Sequence, residues 1–319
     1  MKQVKKIDYA EYADLLNSQN SIGARREWLA FVRTQLGAEP FFLGFFAGEK
    51  LAAILPACAL AGGLEAVPKN YTEPIYLAAP DPTGLAEAFS RYLKTNQAFK
   101  YCRFSLGGVE TVLKLERPFR RVTHVLYTTE AGPEQILTST VSHKTRNQIR
   151  AAYKRSGFSL GPEASLGEFY SLYQAAMRRL RSLAKNKKYF TNLKASFGEN
   201  MRIISVYRAE QMIGANLVLL KNRLLHLAFS AAKADYFKDY LNDFLYWETI
   251  KFGLGRGINI FDFGPSTVSD QSHQHFKAGF GAVPVPIYDL IFYNSINERI
   301  KHLLANKFRN LRLRLKKII

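Results

Sequence analysis

Between Arg202 and Ala231 the chain strings together three apolar runs with only two short polar breaks. The runs are about Arg202–Arg208, Gln211–Leu220 and Arg223–Ala231, and the breaks are Ala209-Glu210 and Lys221-Asn222. A break of two residues allows a hairpin and forbids a parallel crossover, which needs a dozen residues or more. The pattern therefore predicts an antiparallel meander. A helix is expected before it, about Leu166–Ala184, because Phe169, Leu172, Tyr173, Ala176 and Leu180 recur at helical spacing. After the loop KADYFKDY a second helix reads LNDFLYWETIKFGLGRG, closed by Gly255 and Gly257. The strand INIFDFG follows at once, then a polar loop and a last strand at about Val285–Phe292.

The first half carries the same plan more faintly. A helix at about Glu27–Gln35 puts Trp28, Phe31 and Val32 on one face. FFLGFFAGEKLAAILPACAL reads as two strands around the turn Ala47-Gly48-Glu49-Lys50. A looser Gly/Pro-rich stretch (62–83) precedes a helix at about Leu85–Thr95 and strands at about Lys100–Leu106 and His124–Tyr127. Helix, antiparallel strands, helix, strand is an α+β unit, written once clearly and once weakly, with no letter-level similarity between the halves.

At 319 residues with 47% hydrophobic and 22% charged residues, the composition is globular and allows two domains. Cys58 and Cys102 are too few for a disulfide framework and lack neighbours at metal-ligand spacing. MKQVKKIDYAEYADLL has no apolar core of the signal-peptide kind, and the apolar stretch 41–63 is interrupted by Glu49, Lys50 and Pro56. A cytoplasmic protein is expected. His273 and His275 in SHQH have no third or fourth ligand at suitable spacing, so no metal is expected. Ser266 and Ser272 lack the Gly-x-Ser-x-Gly setting of an activated nucleophile.

The net charge of +19 is uneven: residues 1–130 hold 16 Lys/Arg against 13 Asp/Glu, residues 131–319 hold 29 against 13. A polyanion or anionic surface met by the second half is implied. Three clusters carry the excess. SHKTRNQIRAAYKRSGF is a basic helix capped by Ser142 and ended by Gly157, with Lys144, Arg146, Arg150, Lys154 and Arg155 around Ile149, Ala152 and Tyr153. RRLRSLAKNKKYF follows it, and the tail NERIKHLLANKFRNLRLRLKKII interleaves eight Lys/Arg with apolar residues at helical spacing. Such a tail suits an anionic membrane, RNA or the protein's own core.

INIFDFGPS, HFKAGFG, SHKTRNQIRAAYKRSG and KKYFTNL, taken together, resemble the Fem family of bacterial aminoacyl-tRNA-dependent peptidyltransferases over roughly residues 135–292. REWLAFVR and FFLGFFAGEKLAAILP give a thinner echo. The most specific element is Phe261-Asp262-Phe263-Gly264, followed about a dozen residues later by Phe276-Lys277-x-Gly279-Phe280-Gly281. The resemblance implies two tandem acyltransferase domains of the GNAT fold with mixed, largely antiparallel sheets. It sets them at 1–135 and 136–295, with a basic helix at 296–319. It also implies transfer of an amino acid from aminoacyl-tRNA to an amine of a peptidoglycan precursor peptide. The family's Phe-Lys pair falls on Phe276 and Lys277, the lysine steadying the tRNA end or the oxyanion. Its phosphate-gripping basic residue falls on Arg33. Where the family has aromatic tyrosines on the central strand, this chain has His226 and Phe229.

The residues themselves agree in outline. Aminoacyl transfer from an activated ester needs positioning, a cation or N–H donor for the oxyanion, and a path for a proton. Lys277 supplies a cation beside a Gly-rich turn, and Asp262, in an otherwise apolar strand, needs a buried partner such as Lys277 or a backbone N–H. Lys277 and Asp262 are the expected catalytic pair; Phe276, Arg33, Arg150, Ser266 and Tyr246 are expected to bind substrate. No cofactor is expected, aminoacyl-tRNA being the donor. A CoA-using enzyme of this superfold cradles pyrophosphate with glycines at a helix start, and KADYFKDYLNDFLYW has none there. The alternatives are an acyl-CoA N-acyltransferase for an amino-sugar or amino-lipid, and a non-catalytic RNA- or membrane-binding relative. Expected partners are tRNA, a peptidoglycan precursor and, through residues 299–319, the anionic inner face of the membrane.

Overall fold

The computed structural model describes residues 3–8, 10–18, 26–60, 63–66, 75–76, 82–96, 98–107, 121–128, 132–301 and 303–304. They form two compact units, one from Met1–Arg120 with Ile287–Ile319, the other from Arg121–Pro286. The first contains β1 (Gln3–Ile7), α1 (Ala13–Ser18), α2 (Arg26–Leu36), β2 (Pro40–Ala47), β3 (Lys50–Leu60), β4 (Gly63–Ala66), β5 (Ile75–Tyr76), α3 (Pro82–Thr95) and β6 (Tyr101–Gly107). The second contains β7 (Arg121–Tyr127), α4 (Pro133–Ser139), α5 (His143–Arg155), β8 (Phe158–Leu160), α6 (Leu166–Arg179), α7 (Lys187–Phe197), β9 (Met201–Arg208), β10 (Gln211–Lys221) and β11 (Leu224–Ala232). It continues with α8 (Leu241–Leu254), β12 (Ile260–Asp262), β13 (Ser266–Thr267) and α9 (Gln271–Ala278), and the chain leaves it along β14 (Val283–Tyr293).

Each unit is built to one plan. In the second, the strand order is β7-β12-β11-β10-β9-β8, antiparallel except for the β11–β12 pair, which α8 connects in parallel. In the first, the order is β1-β2-β3-β4-β6-β14, antiparallel except for β4–β6, connected across α3. Both show the α+β architecture with mixed, largely antiparallel sheets that the sequence implies.

The chain boundaries differ from the sequence reading. A boundary at 135 assigns β7 to the first domain, yet β7 pairs with β12 in the second unit. A boundary at 295 assigns all of β14 to the second domain, yet Ile287–Tyr293 pairs with β6 in the first. The first unit's sixth strand thus comes from beyond the whole second unit, and the second unit's sixth strand is its own first segment, β7; no local pattern encodes either pairing.

The meander is where the turns place it. Ala209 and Asn222 adopt left-handed φ of 52° and 49°, as tight hairpin turns demand. α5 begins at the Ser142 cap, whose side chain accepts the Thr145 N–H, and ends before Gly157 at φ 65°. Ile149 and Ala152 are buried on it, while Tyr153 stays 46% exposed. α6 buries Phe169, Leu172, Tyr173 and Ala176 as its spacing predicts, but stops at Arg179, so Leu180 emerges 56% exposed instead of extending the buried face. α8 is buried nearly all round, and the ring of Phe261 lies where a side chain at Gly253 would have to be. Gly253 is therefore a close-approach glycine inside the helix, while Gly255 and Gly257 lie beyond its last residue.

The polar loop expected after INIFDFG contains α9, and Lys277 is on that helix, not in a loop. Its polar eight residues offer Phe276 as the sole large apolar side chain, so periodicity is silent. Asp270 caps it, accepting the His273 N–H at 3.1 Å. Gly279 and Gly281 of the motif pack against the α4–α5 junction: Ser142 N–H donates to the Gly279 carbonyl at 2.9 Å, and a Cβ at Gly279 would strike Thr145 Oγ1. Residues 296–301 are helical, with Ile300, Leu303 and Leu304 exposed; residues 302 and 305–319 lie outside the described residues.

Candidate active site

β11 and β12 share a register for three residues only: Leu224↔Ile260, Leu225↔Phe261 and His226↔Asp262. β11 then runs on to Ala232 while β12 stops, so the sheet forks at His226 and Asp262. Just past the fork the β10–β11 register shifts between Leu217 and Val218, leaving Ala228 as an extra bulged residue. A bulge bends its strand and re-aims backbone groups, a device common beside active sites.

Asp262 is the hub of the fork. Its carboxylate accepts from the Thr123 hydroxyl at 2.5 Å and the Gly264 N–H at 2.9 Å, and lies 2.7 Å from Nδ1 of His226. Burial alone pushes this carboxyl up, but His226, Thr123 and the Gly264 N–H outweigh it and hold the acid below its usual range. The buried partner that the sequence calls for is thus His226 with two neutral donors, and not Lys277.

Lys277, 4% exposed, donates instead to the Gly264 carbonyl at 2.7 Å and to Ser266 Oγ at 2.8 Å. It ties α9 to the turn at Gly264, whose φ of 72° is left-handed. Burial brings its ammonium down to about 8, against the opposing pull of Asp262 and Asp270. His124, on β7 beside Thr123, is 2% exposed; burial and then the Lys277 charge lower it to about 4, so its imidazole is neutral at physiological pH.

The other sequence-predicted residues divide. Ser266 is at the site, where its hydroxyl holds Lys277. Phe276 and Tyr246 meet edge to face at 4.9 Å in an aromatic cluster with Phe263 and Phe280, and Tyr246 is 7% exposed. Burial pushes the Tyr246 phenol to about 12, against a hydrogen bond with Ser230. Arg150 is exposed on α5, 3.8 Å from Glu134 of α4. Arg33 belongs to the first unit, where its Nε donates to Glu39 at 2.7 Å. Sequence reasoning did not single out Thr123, His124 or Asp243. His124 stands alone as a titratable group in the apolar stretch of β7, and that is the signal that finds it.

Asp243 is in the first turn of α8, 8% exposed. Burial raises its carboxyl to about 6, against its own backbone N–H and the Lys144 charge. A folded value above the unfolded one means that the folded state binds the extra proton between pH ~4 and ~6, so this group's contribution falls as pH rises through that window. Asp243→Asn should therefore stabilise the protein by about 2 kcal/mol at pH near 7 and by little near pH 4. Urea unfolding at both pH values checks this; an equal effect at both would remove Asp243 as the titrating group.

A helix-flanked mixed sheet that forks at a parallel pair is the GNAT acyltransferase fold. Residues 141–278 match the family model described as an acetyltransferase (GNAT) domain, which supports an acyltransferase. No curated protein matches. Among solved structures, FemX is similar with a TM-score of 0.66 at 11% identity, covering 94% of this chain and 99% of its own. The C-terminal domain of a putative lysylphosphatidylglycerol synthetase from Agrobacterium fabrum gives 0.55 at 12%, covering 94% and 97%. A tandem GNAT protein from the clavulanic acid biosynthesis pathway gives 0.53 at 8%, covering 91% and 98%. At these identities the likeness is one of fold.

Proposed function

We propose that this chain transfers an amino acid from aminoacyl-tRNA to an amine of a peptidoglycan precursor peptide. The observation that carries the reading is the start of α8. An acyl-CoA enzyme of this fold seats a diphosphate on glycine N–H groups at such a helix start. Here the N-cap is Tyr240 at φ 63°, and the first turn presents the buried carboxylate of Asp243, raised to about 6 and still mostly ionised near pH 7. A second anion there meets like charge in a low-dielectric site. α5 packs on α8 and carries Lys144, Arg150 and Lys154 exposed, cations suited to a nucleic-acid backbone that need not enter that turn.

The chemistry fits the fork. The acceptor amine attacks the ester carbonyl, the C–N bond forms, and the carbonyl oxygen takes the negative charge. Backbone donors of bulged β11 and the charge of Lys277 stabilise that oxygen. The Asp262–His226 pair takes the proton the amine sheds, and collapse breaks the ester C–O bond, the proton passing to the ribose oxygen. The likeness to FemX and to a lysylphosphatidylglycerol synthetase domain supports the reading.

The test is titration of the purified chain with charged tRNA, acetyl-CoA and a long-chain acyl-CoA at low and high salt. Saturable, salt-sensitive tRNA binding without CoA binding is expected. Saturable acyl-CoA binding with unsaturable tRNA binding would overturn the donor and favour N-acylation of an amino-sugar or amino-lipid.

A further inference from the structure

The connection between α6 and α7 is cationic and apolar at once. Arg178 to Lys188 reads RRLRSLAKNKK, with six Lys/Arg, and no Asp or Glu occurs between Glu168 and Glu199. All eleven residues are exposed. Leu180 and Leu183 are 56% and 72% exposed, because α6 ends before them. Isolated surface leucines need no explanation, but two on one protrusion ringed by cations form a patterned surface.

The loop is held in this shape. The Ser182 N–H donates to the Met177 carbonyl at 3.0 Å and the Lys185 N–H to the Tyr173 hydroxyl at 3.0 Å. Asn186 caps α7 through the Tyr189 N–H at 2.9 Å. Arg179 donates to the Ala232 carbonyl at 3.0 Å and covers the ring of Phe237, itself 39% exposed. The backbone is pinned at both ends, and what it holds outward is leucine and charge.

We propose that this loop docks the protein on an anionic lipid bilayer. Leu180 and Leu183 enter the boundary between headgroups and acyl chains, while Arg178, Arg181, Lys185, Lys187 and Lys188 meet lipid phosphates. Two ligands suit cations of this density, and the leucines choose between them. Single-stranded RNA is gripped by aromatic rings that stack on bases, whereas the apolar side chains the loop itself projects, Leu180 and Leu183, are aliphatic, which a bilayer accepts, and the neighbouring ring of Phe237 is covered by Arg179. The proposal rests on this surface alone and not on the donor proposed above.

Flotation of the full chain with vesicles tests it, using phosphatidylcholine alone or mixed with phosphatidylglycerol. The native chain should float only with the anionic vesicles. Leu180→Ser with Leu183→Ser should lower the partition coefficient by about tenfold or more, since the gain from apolar insertion is lost. Lys185→Glu, Lys187→Glu and Lys188→Glu together should abolish flotation, each cation contributing near an anionic surface. All five positions are solvent-exposed, so circular dichroism should be unchanged. Flotation that ignores lipid charge would overturn the proposal. So would a serine variant that floats like the native chain, which would move the contact to the tail. A charge-reversed variant that loses tRNA binding and keeps flotation would make the loop an RNA face.

Discussion

Asp262→Ala should destabilise the second unit by about 3–5 kcal/mol, the usual cost of breaking a buried charge-bearing network on one side. The carboxylate satisfies Thr123, the Gly264 N–H and His226 together, so its removal strands three polar groups at the fork. Asp262→Asn keeps the volume and the two neutral hydrogen bonds but cannot take up a proton. Its stability loss should be smaller, and transfer should fall about 10²–10⁴-fold. The native acid is held below its usual value, so its contribution is complete above pH ~4 and lost as pH falls through the lower folded value. The asparagine variant should lack that acid limb in urea-unfolding profiles. Transfer by Asp262→Asn at the native rate would take Asp262 out of the proton path.

Lys277→Met separates chemistry from scaffolding. The native ammonium is desolvated, brought down to about 8, so its removal relieves a burial cost while leaving the Gly264 carbonyl and the Ser266 hydroxyl without their donor. The variant should therefore remain folded but lose about 1–3 kcal/mol of stability. Transfer should drop by about 10²–10³-fold, the usual loss when one preorganised donor to a developing oxyanion goes. Because the folded value lies below the unfolded one, the unfolded chain binds more protons between pH ~8 and ~10.5. Native stability should thus rise with pH across that range, and the methionine variant should lack the rise. Native turnover by Lys277→Met would leave the lysine as no more than the tie between α9 and the Gly264 turn.

Much of the second unit is legible in the letters because its pairings are local. β9, β10 and β11 follow from two-residue breaks, α5 from Ser142 and Gly157, and α6 from apolar spacing at 169, 172, 173 and 176. Leu180 shows the limit: it continues the spacing, yet the helix ends before it, and periodicity reports a face but not where it stops. α9 is silent for the opposite reason, being held by a cap and a buried lysine in place of an apolar stripe.

The candidate site was half legible. Asp262 and Lys277 stand out as charges in a strand and a glycine-flanked motif, but which groups satisfy them does not. His226 is 36 residues from Asp262 in sequence, and Thr123 is 139 away. Phe276 and Tyr246 are matched by their letters alone; folding places them in the aromatic core.

By itself, then, the sequence determined the element types, the antiparallel meander, the crossover helix and the cationic surfaces, because each is set by neighbours within about one turn or one hairpin. Only the tertiary structure decided that the first unit takes its last strand from beyond the second, that the sheet forks at His226 and Asp262, and that Lys277 faces a carbonyl and a hydroxyl in place of the aspartate. Those outcomes belong to hydrogen bonds between distant segments, which desolvation makes obligatory once the core has closed and which no local pattern specifies.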